Sequence, residues 1–319
     1  ENPEQLEAHL QTARTAVAAG RCLAFQGGSG VHYRPAGRQP GRLAFVYPGS
    51  GNHFLGMGRE LGVFWPEIFR GMDAECGRLK SQMQPERFFP QRVSWAAGWE
   101  EESLQQIAED PLAPIFGQVV YGTAMTRLLR WFGLGPEAVI GYSLGESAAL
   151  FAMDVWTDRD AMMARMQASD LFQRQLAGDC LAARRAWNIG PEERFVWQAA
   201  AVQQPAEKVA RGIAGMSRIR LLIVNAPDEC VIGGCSTEVA RAIRKLHCDA
   251  VYLEGVSTVH CDALEPVAEA YRRLHLFPVQ PTEEIQFYSC AAGGAYELTS
   301  ETAADSLLQQ ARFGFDFPK

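Results

Sequence analysis

Apolar residues recur at helical spacing near the start of the chain. Leu6, Leu10, Ala13 and Val17 share one face and Gly20 follows, so a helix is predicted over 5–19. Residues 27–42 carry five glycines and two prolines among charged residues and read as an exposed connector. The run Leu43-Ala44-Phe45-Val46-Tyr47 is strand-like, and Pro48-Gly49-Ser50-Gly51-Asn52 is a glycine-rich turn after it. A helix is predicted over 116–132 from Val119, Val120, Leu128, Leu129 and Phe132, stopped by Gly133-Leu134-Gly135-Pro136. Ala138-Val139-Ile140 then reads as a short buried strand feeding a helix from Leu144 to Met153. Strand, tight turn and helix in that order is the local form of a parallel α/β sheet.

The pattern changes over 190–256. Strands are predicted at 195–199, 219–225, 229–234 and 249–253, with helices near 204–214 and 236–247. That order is βαββαβ, a ferredoxin-like unit. The predicted fold class is α/β: a large α/β-hydrolase-like subdomain with a parallel sheet, interrupted by an inserted ferredoxin-like small subdomain. The expected boundaries are 1–42 for an N-terminal helix and connector, 43–189 and 257–319 for the large subdomain, and 190–256 for the small one.

A chain of 319 residues suits two domains or one with an insertion, and 47% hydrophobic residues support a sizeable core. The net charge of −7 leaves no footprint for nucleic acid. The apolar runs are short, such as Leu221-Leu222-Ile223-Val224, so no membrane span is expected. The start, Glu1-Asn2-Pro3-Glu4, lacks the basic-then-apolar pattern of a signal peptide. Eight scattered cysteines without a CxxC pair read as mostly buried thiols in a reducing cytoplasm, and no metal site is expected.

The chemistry concentrates at Gly141-Tyr142-Ser143-Leu144-Gly145. Glycines flank a serine where a strand turns sharply into a helix, and the hydroxyl is presented beyond the strand end. The helix N-terminus brings free N–H groups and a positive dipole end to the site, with Leu144 N–H as the first donor. Ser143 is the candidate nucleophile and needs a base. Of six histidines, His9, His32, His247 and His275 read as solvated or structural, His275 on what looks like a surface helix. His53 lies in the glycine-rich turn. His260 lies in Val256-Ser257-Thr258-Val259-His260-Cys261, where the chain re-enters the large subdomain, and leads His53 modestly.

Four separated motifs, in order over about 43–317, resemble one family. Pro48-Gly49-Ser50-Gly51-Asn52-His53-Phe54-Leu55-Gly56-Met57-Gly58 is similar to the opening signature of malonyl-CoA:acyl-carrier-protein transacylases. Gly141 to Glu146 resembles their G-H-S-x-G-E, and His260 with Leu264-Glu265-Pro266 resembles their histidine motif. Phe287-Tyr288-Ser289, and Gln309-Gln310 through Phe317, resemble their late segments. Gly51-Asn52-His53 and Tyr296-Glu297-Leu298 look most like acyltransferase domains of polyketide and polyunsaturated fatty acid synthases, and the residues before 43 resemble the linker preceding such domains.

The resemblance implies Ser143 as nucleophile, His260 as base, the backbone N–H groups of Ser50 and Leu144 as oxyanion hole, and Gln310 in a histidine-orienting role. It implies ping-pong transfer of an acyl group, malonyl first, from CoA to the phosphopantetheine arm of an acyl carrier protein. No bound cofactor is expected. A neighbouring ketosynthase domain, a cytoplasmic location and no nucleic-acid or membrane partner complete the reading. Arg165, Tyr142, Val259, Asn225 and His53 are the candidate substrate contacts.

Departures matter. Tyr142 replaces the family histidine and Ser50 its glutamine, and Ala168 stands where the family has its carboxylate-clamping arginine. Arg165, one turn back on the presumed helix, is either a substitute clamp or an ordinary surface or interdomain arginine. If it does not serve, a non-carboxylated acyl group is expected instead. Val259, just before the histidine, is intermediate between the bulky and small residues that set acyl size in relatives. The family's closing strand is expected beyond Pro318, so the C-terminus reads as truncated. Two rival functions share parts of this pattern: a thioesterase or esterase of the α/β-hydrolase type, and a non-catalytic docking domain.

Overall fold

A computed structural model describes residues 3–22, 31–33, 35, 41–91, 94–255, 257–280 and 285–319. Two compact units divide the chain, residues 1–42 and 43–319. In the first, Pro3–Ala19 is helical. The connector expected over 27–42 lies mostly outside the described residues, as do Glu1, Asn2 and Val256.

The second unit holds two sheets. Strands β1 (Ala44–Tyr47) and β2 (Ala138–Gly141) pair in parallel, Phe45 opposite Val139. The small lobe contributes β3 (Trp197–Val202), β4 (Ile219–Ala226), β5 (Glu229–Cys235) and β6 (Ala250–Leu253). Strand β7 (Gln286–Ser289) returns to lie parallel to β2, and β8 (Gly294–Tyr296) runs antiparallel to β7. The large sheet therefore has the order β1-β2-β7-β8. Because β1 and β2 pair in parallel, their carboxyl ends open side by side, the usual place for a site in such sheets.

The helix after β2, Leu144–Ala152, is buried from Gly145 to Ala152. It packs on the long helix Leu112–Trp131, and Phe116, Val119, Leu150, Phe151 and Trp156 share one apolar core. The long helix begins four residues earlier than its apolar spacing predicts. Shorter helices at Pro66–Glu75 and Trp99–Ala108 fill a stretch where the sequence predicts nothing.

The small sheet has the order β6-β3-β5-β4-β9, with β9 at Phe315–Asp316. Its first four strands have the ferredoxin-like order, and their side chains alternate between two cores. Ala200, Val202, Cys230 and Ile232 meet the helices Ala206–Ile213 and Ser236–Leu246 through Val209, Val239 and Leu246. Ala199 and Val231 face the other way, onto Ala183, Ala263 and Phe315.

The fifth strand corrects an expectation. Residues 257–319 read as the large subdomain throughout, yet Phe315 and Asp316 pair in parallel with Ile223 and Val224 of β4. The turn into β9 needs Gly314, whose φ is 70° and ψ −168°, and a Cβ there would run into the Leu222 carbonyl oxygen. Gly314→Ala is expected to cost about 2 kcal/mol or more, read as a lower urea midpoint. A midpoint equal to wild type would show that this turn does not tie the C-terminal segment to the small sheet.

Candidate active site

The turn at Ser143 is built from backbone packed on backbone. Tyr142 N–H donates to the Tyr47 carbonyl at 2.9 Å, which hangs the turn from the end of β1. A Cβ on Gly145 would strike that same carbonyl, and one on Gly141 would strike the backbone of Gly145 and Glu146. Both glycines are thus required by contact. Ser143 between them has φ 54° and ψ −116°, a conformation costing about 1–3 kcal/mol that the packing around it must enforce. The N–H groups of Ser50 and Leu144 form no hydrogen bond among the described residues. Gln118 and Asn52 hold the Gly49 carbonyl at 2.6 and 2.9 Å, and a Cβ on Gly49 would come within 2.6 Å of the Tyr142 ring.

Ser143 Oγ lies 2.8 Å from Nε2 of His260. Nδ1 of the same ring lies 2.8 Å from the carbonyl oxygen of Gln310. A carbonyl only accepts, so Nδ1 carries the proton and Nε2 presents its lone pair to the serine hydroxyl. The ring is 7% exposed and meets the edge of Phe315. Burial pushes its pKa down to about 4, partly opposed by the Gln310 carbonyl, so it is a neutral base at pH 7. Among the described residues no carboxylate touches the ring. Asp262 pairs with Arg220 and Glu265 with Arg312.

Gln310 acts differently from expectation. Its main-chain carbonyl, not its amide, holds the histidine. The side-chain Nε2 donates instead to Glu146 Oε2 at 3.0 Å and lies 3.3 Å from the Ser143 carbonyl. Glu146 is 3% exposed and also accepts from Ser306 Oγ and from the Tyr296 hydroxyl at 3.3 Å. Burial raises its pKa to about 7 against these donors.

The other candidates separate. Tyr142 OH donates to Asn225 Oδ1 at 2.8 Å, and Asn225 Nδ2 donates to Glu229 at 2.8 Å, a chain from the elbow into the small lobe. Val259 lines the space beside Ser143 on both lobes. His53 lines a wide cleft of about 800 Å3 that reaches Ser50 and Ser257, but its ring meets Phe88 and it does not contact Ser143. Arg165 requires correction. It is exposed, donates to the Leu274 and Leu276 carbonyls at 3.4 and 3.0 Å, and lies 4.0 Å over the Phe277 ring. Ala168, the position it was to replace, is already past the helix end at Gln167.

A pocket of about 80 Å3 runs inward from Ser143 between Phe116, Val119, Met162, Met166 and Phe172. Three of its polar lining residues were missed: Arg159, Tyr271 and His275. His275 is not on a surface. It is 6% exposed, bonded through Nδ1 to the Tyr271 carbonyl and stacked on Trp156. Among the described residues no group of three or more His, Cys, Asp or Glu could hold a metal ion, and no helix is long and apolar enough to cross a membrane.

This two-subdomain α/β architecture is the fold of acyltransferase domains. The acyltransferase domain from the second module of the salinomycin polyketide synthase superposes with TM-score 0.68 at 22% identity, over 99% of this chain and 66% of that one. Malonyl-CoA:acyl carrier protein transacylase from Helicobacter pylori gives 0.65 at 16%, over 86% and 82%. A malonyl-transacylase in complex with its type II polyketide synthase acyl-carrier protein gives 0.65 at 16%, over 87% and 83%. In sequence the chain is 29% identical over 251 residues to polyketide synthase GfsA of Streptomyces halstedii, 75% of this chain and 3% of that protein. It is 26% identical over 244 residues to the conidial pigment polyketide synthase PfmaE of Pestalotiopsis fici, 75% and 10%. The chain thus spans a tenth or less of these curated relatives. No protein-family model matches it.

Burial sets the pH behaviour of the pair. His260 and His275 both have folded pKa values near 4, below the unfolded value of about 6.5. As pH falls below about 6.5 the unfolded chain takes up these protons and the folded chain does not. Stability present above that pH is lost toward 4, by about 1.4 kcal/mol per pH unit for each ring. Labelling of Ser143 by a sulfonyl fluoride, with circular dichroism recorded in parallel, is expected to hold its histidine-dependent rate down to about pH 5 while the protein stays folded. A rate already halved at pH 6.5 in folded protein would show a solvated base.

Proposed function

We propose that the chain transfers an acyl group from an acyl-CoA thioester to the phosphopantetheine thiol of an acyl carrier protein, through an ester on Ser143. The 2.8 Å contact between Ser143 Oγ and the unprotonated Nε2 of His260 carries this reading. Ser143 Oγ attacks the thioester carbonyl as His260 takes its proton. The tetrahedral oxyanion is received by the free N–H groups of Ser50 and Leu144. Its collapse breaks the C–S bond, and His260 returns the proton to the CoA sulfur. The carrier thiol then repeats the sequence in reverse order and regenerates Ser143.

The fold shared with acyltransferase domains and the polyketide synthase relatives support a place in polyketide or fatty acid biosynthesis. They also support a carrier protein as partner and a ketosynthase domain as neighbour, in the cytoplasm. Malonyl remains the first acyl group to test, although Arg165 turns outward and gives it no support.

Exposure of the protein to a panel of acyl-CoAs should add an acyl mass to the intact chain, and Ser143→Ala should abolish it. His260→Ala is expected to slow loading by 10³-fold or more. The loaded acyl group should pass to a carrier thiol much faster than to water. No adduct from any acyl-CoA would remove the enzyme reading, and equal release to water and carrier would make it a hydrolase.

A further inference from the structure

Arg159 is a buried cation that no acid among the described residues hydrogen-bonds. It is the first residue of the helix Arg159–Gln167 and is 5% exposed. Its Nε is fully buried with no hydrogen-bond partner, and its side chain forms no hydrogen bond or ion pair among the described residues. The neighbouring acids are engaged elsewhere. Asp158 accepts from Ala161 N–H, Asp160 accepts from Cys76, Gly77 and Gln82, and Glu75, though near enough to feel the Arg159 charge, is hydrogen-bonded to Arg127. A buried guanidinium in that state is strongly unfavourable unless an anion completes it. Such a group calls for a specific explanation.

The explanation lies in where Arg159 sits. It lines the same pocket as Ser143. Along the elbow helix the pocket is lined by Leu144, Ser147 and Phe151, one turn after another. Eight residues at 1.5 Å each place Phe151 about 12 Å from Ser143. Arg159, Met162 and Met166 line the facing helix at three- and four-residue spacing. The rings of Phe151 and Trp156 stand 5.3 Å apart, which holds the link between the helices against the far end. The pocket thus joins a serine hydroxyl and largely apolar walls to a cation that no acid among the described residues hydrogen-bonds. A carboxylate one carbon from the thioester carbonyl, as in malonyl, stops well short of that cation.

We infer that the pocket takes an ω-carboxyacyl group, a chain whose carboxylate stands several carbons from the thioester and pairs with Arg159. The arginine side chain covers part of the depth, and roughly four to six carbons bridge the rest. The carboxylate and guanidinium form charge-assisted hydrogen bonds, and the methylenes lie on Val119, Met162 and Phe172. The thioester end of this inference rests on the acyl-transfer reading; the anion site does not.

The experiment has two arms. Adipyl-, hexanoyl- and malonyl-CoA are compared for loading by intact mass, and free hexanoate is compared with hexanamide for thermal stabilisation. Both use the wild-type protein, Arg159→Met and Arg159→Lys. Wild type is expected to load adipyl at least tenfold faster than hexanoyl or malonyl, and hexanoate but not hexanamide should raise Tm by several degrees. Arg159→Met should cut the adipyl-to-hexanoyl ratio at least tenfold and lose the hexanoate shift, with Arg159→Lys keeping part of both. Equal shifts from hexanoate and hexanamide in wild type would overturn the anion site even if Arg159→Met does not fold. So would an adipyl-to-hexanoyl ratio unchanged by either variant. Loading of malonyl or hexanoyl alone would retire the inference and keep acyl transfer. A hexanoate shift with no loading of any thioester would keep the anion site and retire transfer.

Discussion

Nδ1 of His260 donates to the carbonyl oxygen of Gln310 at 2.8 Å, and the rest of the site is arranged around that bond. Gln310 lies in the last turn of the helix Ser300–Phe313, where carbonyls run out of partners within the helix. The imidazole N–H shares the Gln310 carbonyl with the Gly314 N–H, which lies 3.0 Å from it, and the His260 main-chain N–H meets the next carbonyl, on Ala311, at 2.6 Å. The negative end of the helix dipole therefore faces the ring that gains positive charge when it takes a proton. A helix end here does the orienting that a carboxylate does in a Ser-His-Asp triad. It leaves the resting imidazole neutral, because a carbonyl opposes desolvation less than a full negative charge would.

The same few residues couple the histidine to everything else it must match. The Gln310 amide reaches the Ser143 carbonyl and Glu146, so serine and histidine are positioned from one helix turn. Phe315 borders the His260 ring and pairs with Ile223, so the small lobe is referenced to that turn as well. Glu146 carries the energetic cost of the arrangement. A carboxyl 3% exposed is tolerated because Ser306, Tyr296 and Gln310 all donate to it, and removing one donor would leave the others around a poorly satisfied acid. Its pKa, raised to about 7, shows that burial outweighs the donation it receives.

Much of this was legible because it rests on local rules. The glycines at 141 and 145 announce a turn with no room for a Cβ, and the helical and alternating periods place the strands and helices of the small lobe, and the elements that flank Ser143, within a few residues. What escaped was decided by contacts between distant segments. A two-residue strand such as Phe315–Asp316 has no period to detect, and only Gly314 hints at it. His275 follows two arginines and looks solvated, yet Arg272 pairs with Asp305 while the imidazole turns inward onto Trp156. Arg165 was placed by counting back from position 168, but that position caps the helix. The inward face runs through 159, 162 and 166, a quarter-turn or so away. Gln310 was found for its side chain, while the atom that matters to the histidine is one every residue carries.

A base as weak as the buried His260 also bears on what the proposed ester would react with. An imidazole with a pKa near 4 holds a proton poorly, so its help depends on how acidic the attacking group is. A thiol ionises near pH ~8.5 and bulk water near ~15.7, so the gap to be bridged is far smaller for the carrier's thiol. Serine is close to water in acidity, but its hydroxyl is already fixed 2.8 Å from Nε2, and a water would have to be recruited and ordered there first. The walls between Ser143 and Arg159 are largely apolar and offer a water few partners along the way. Burial of the histidine, which looks like a handicap for a base, therefore discriminates between a thiol delivered on an arm and the solvent. In the proposed reaction this favours transfer over hydrolysis.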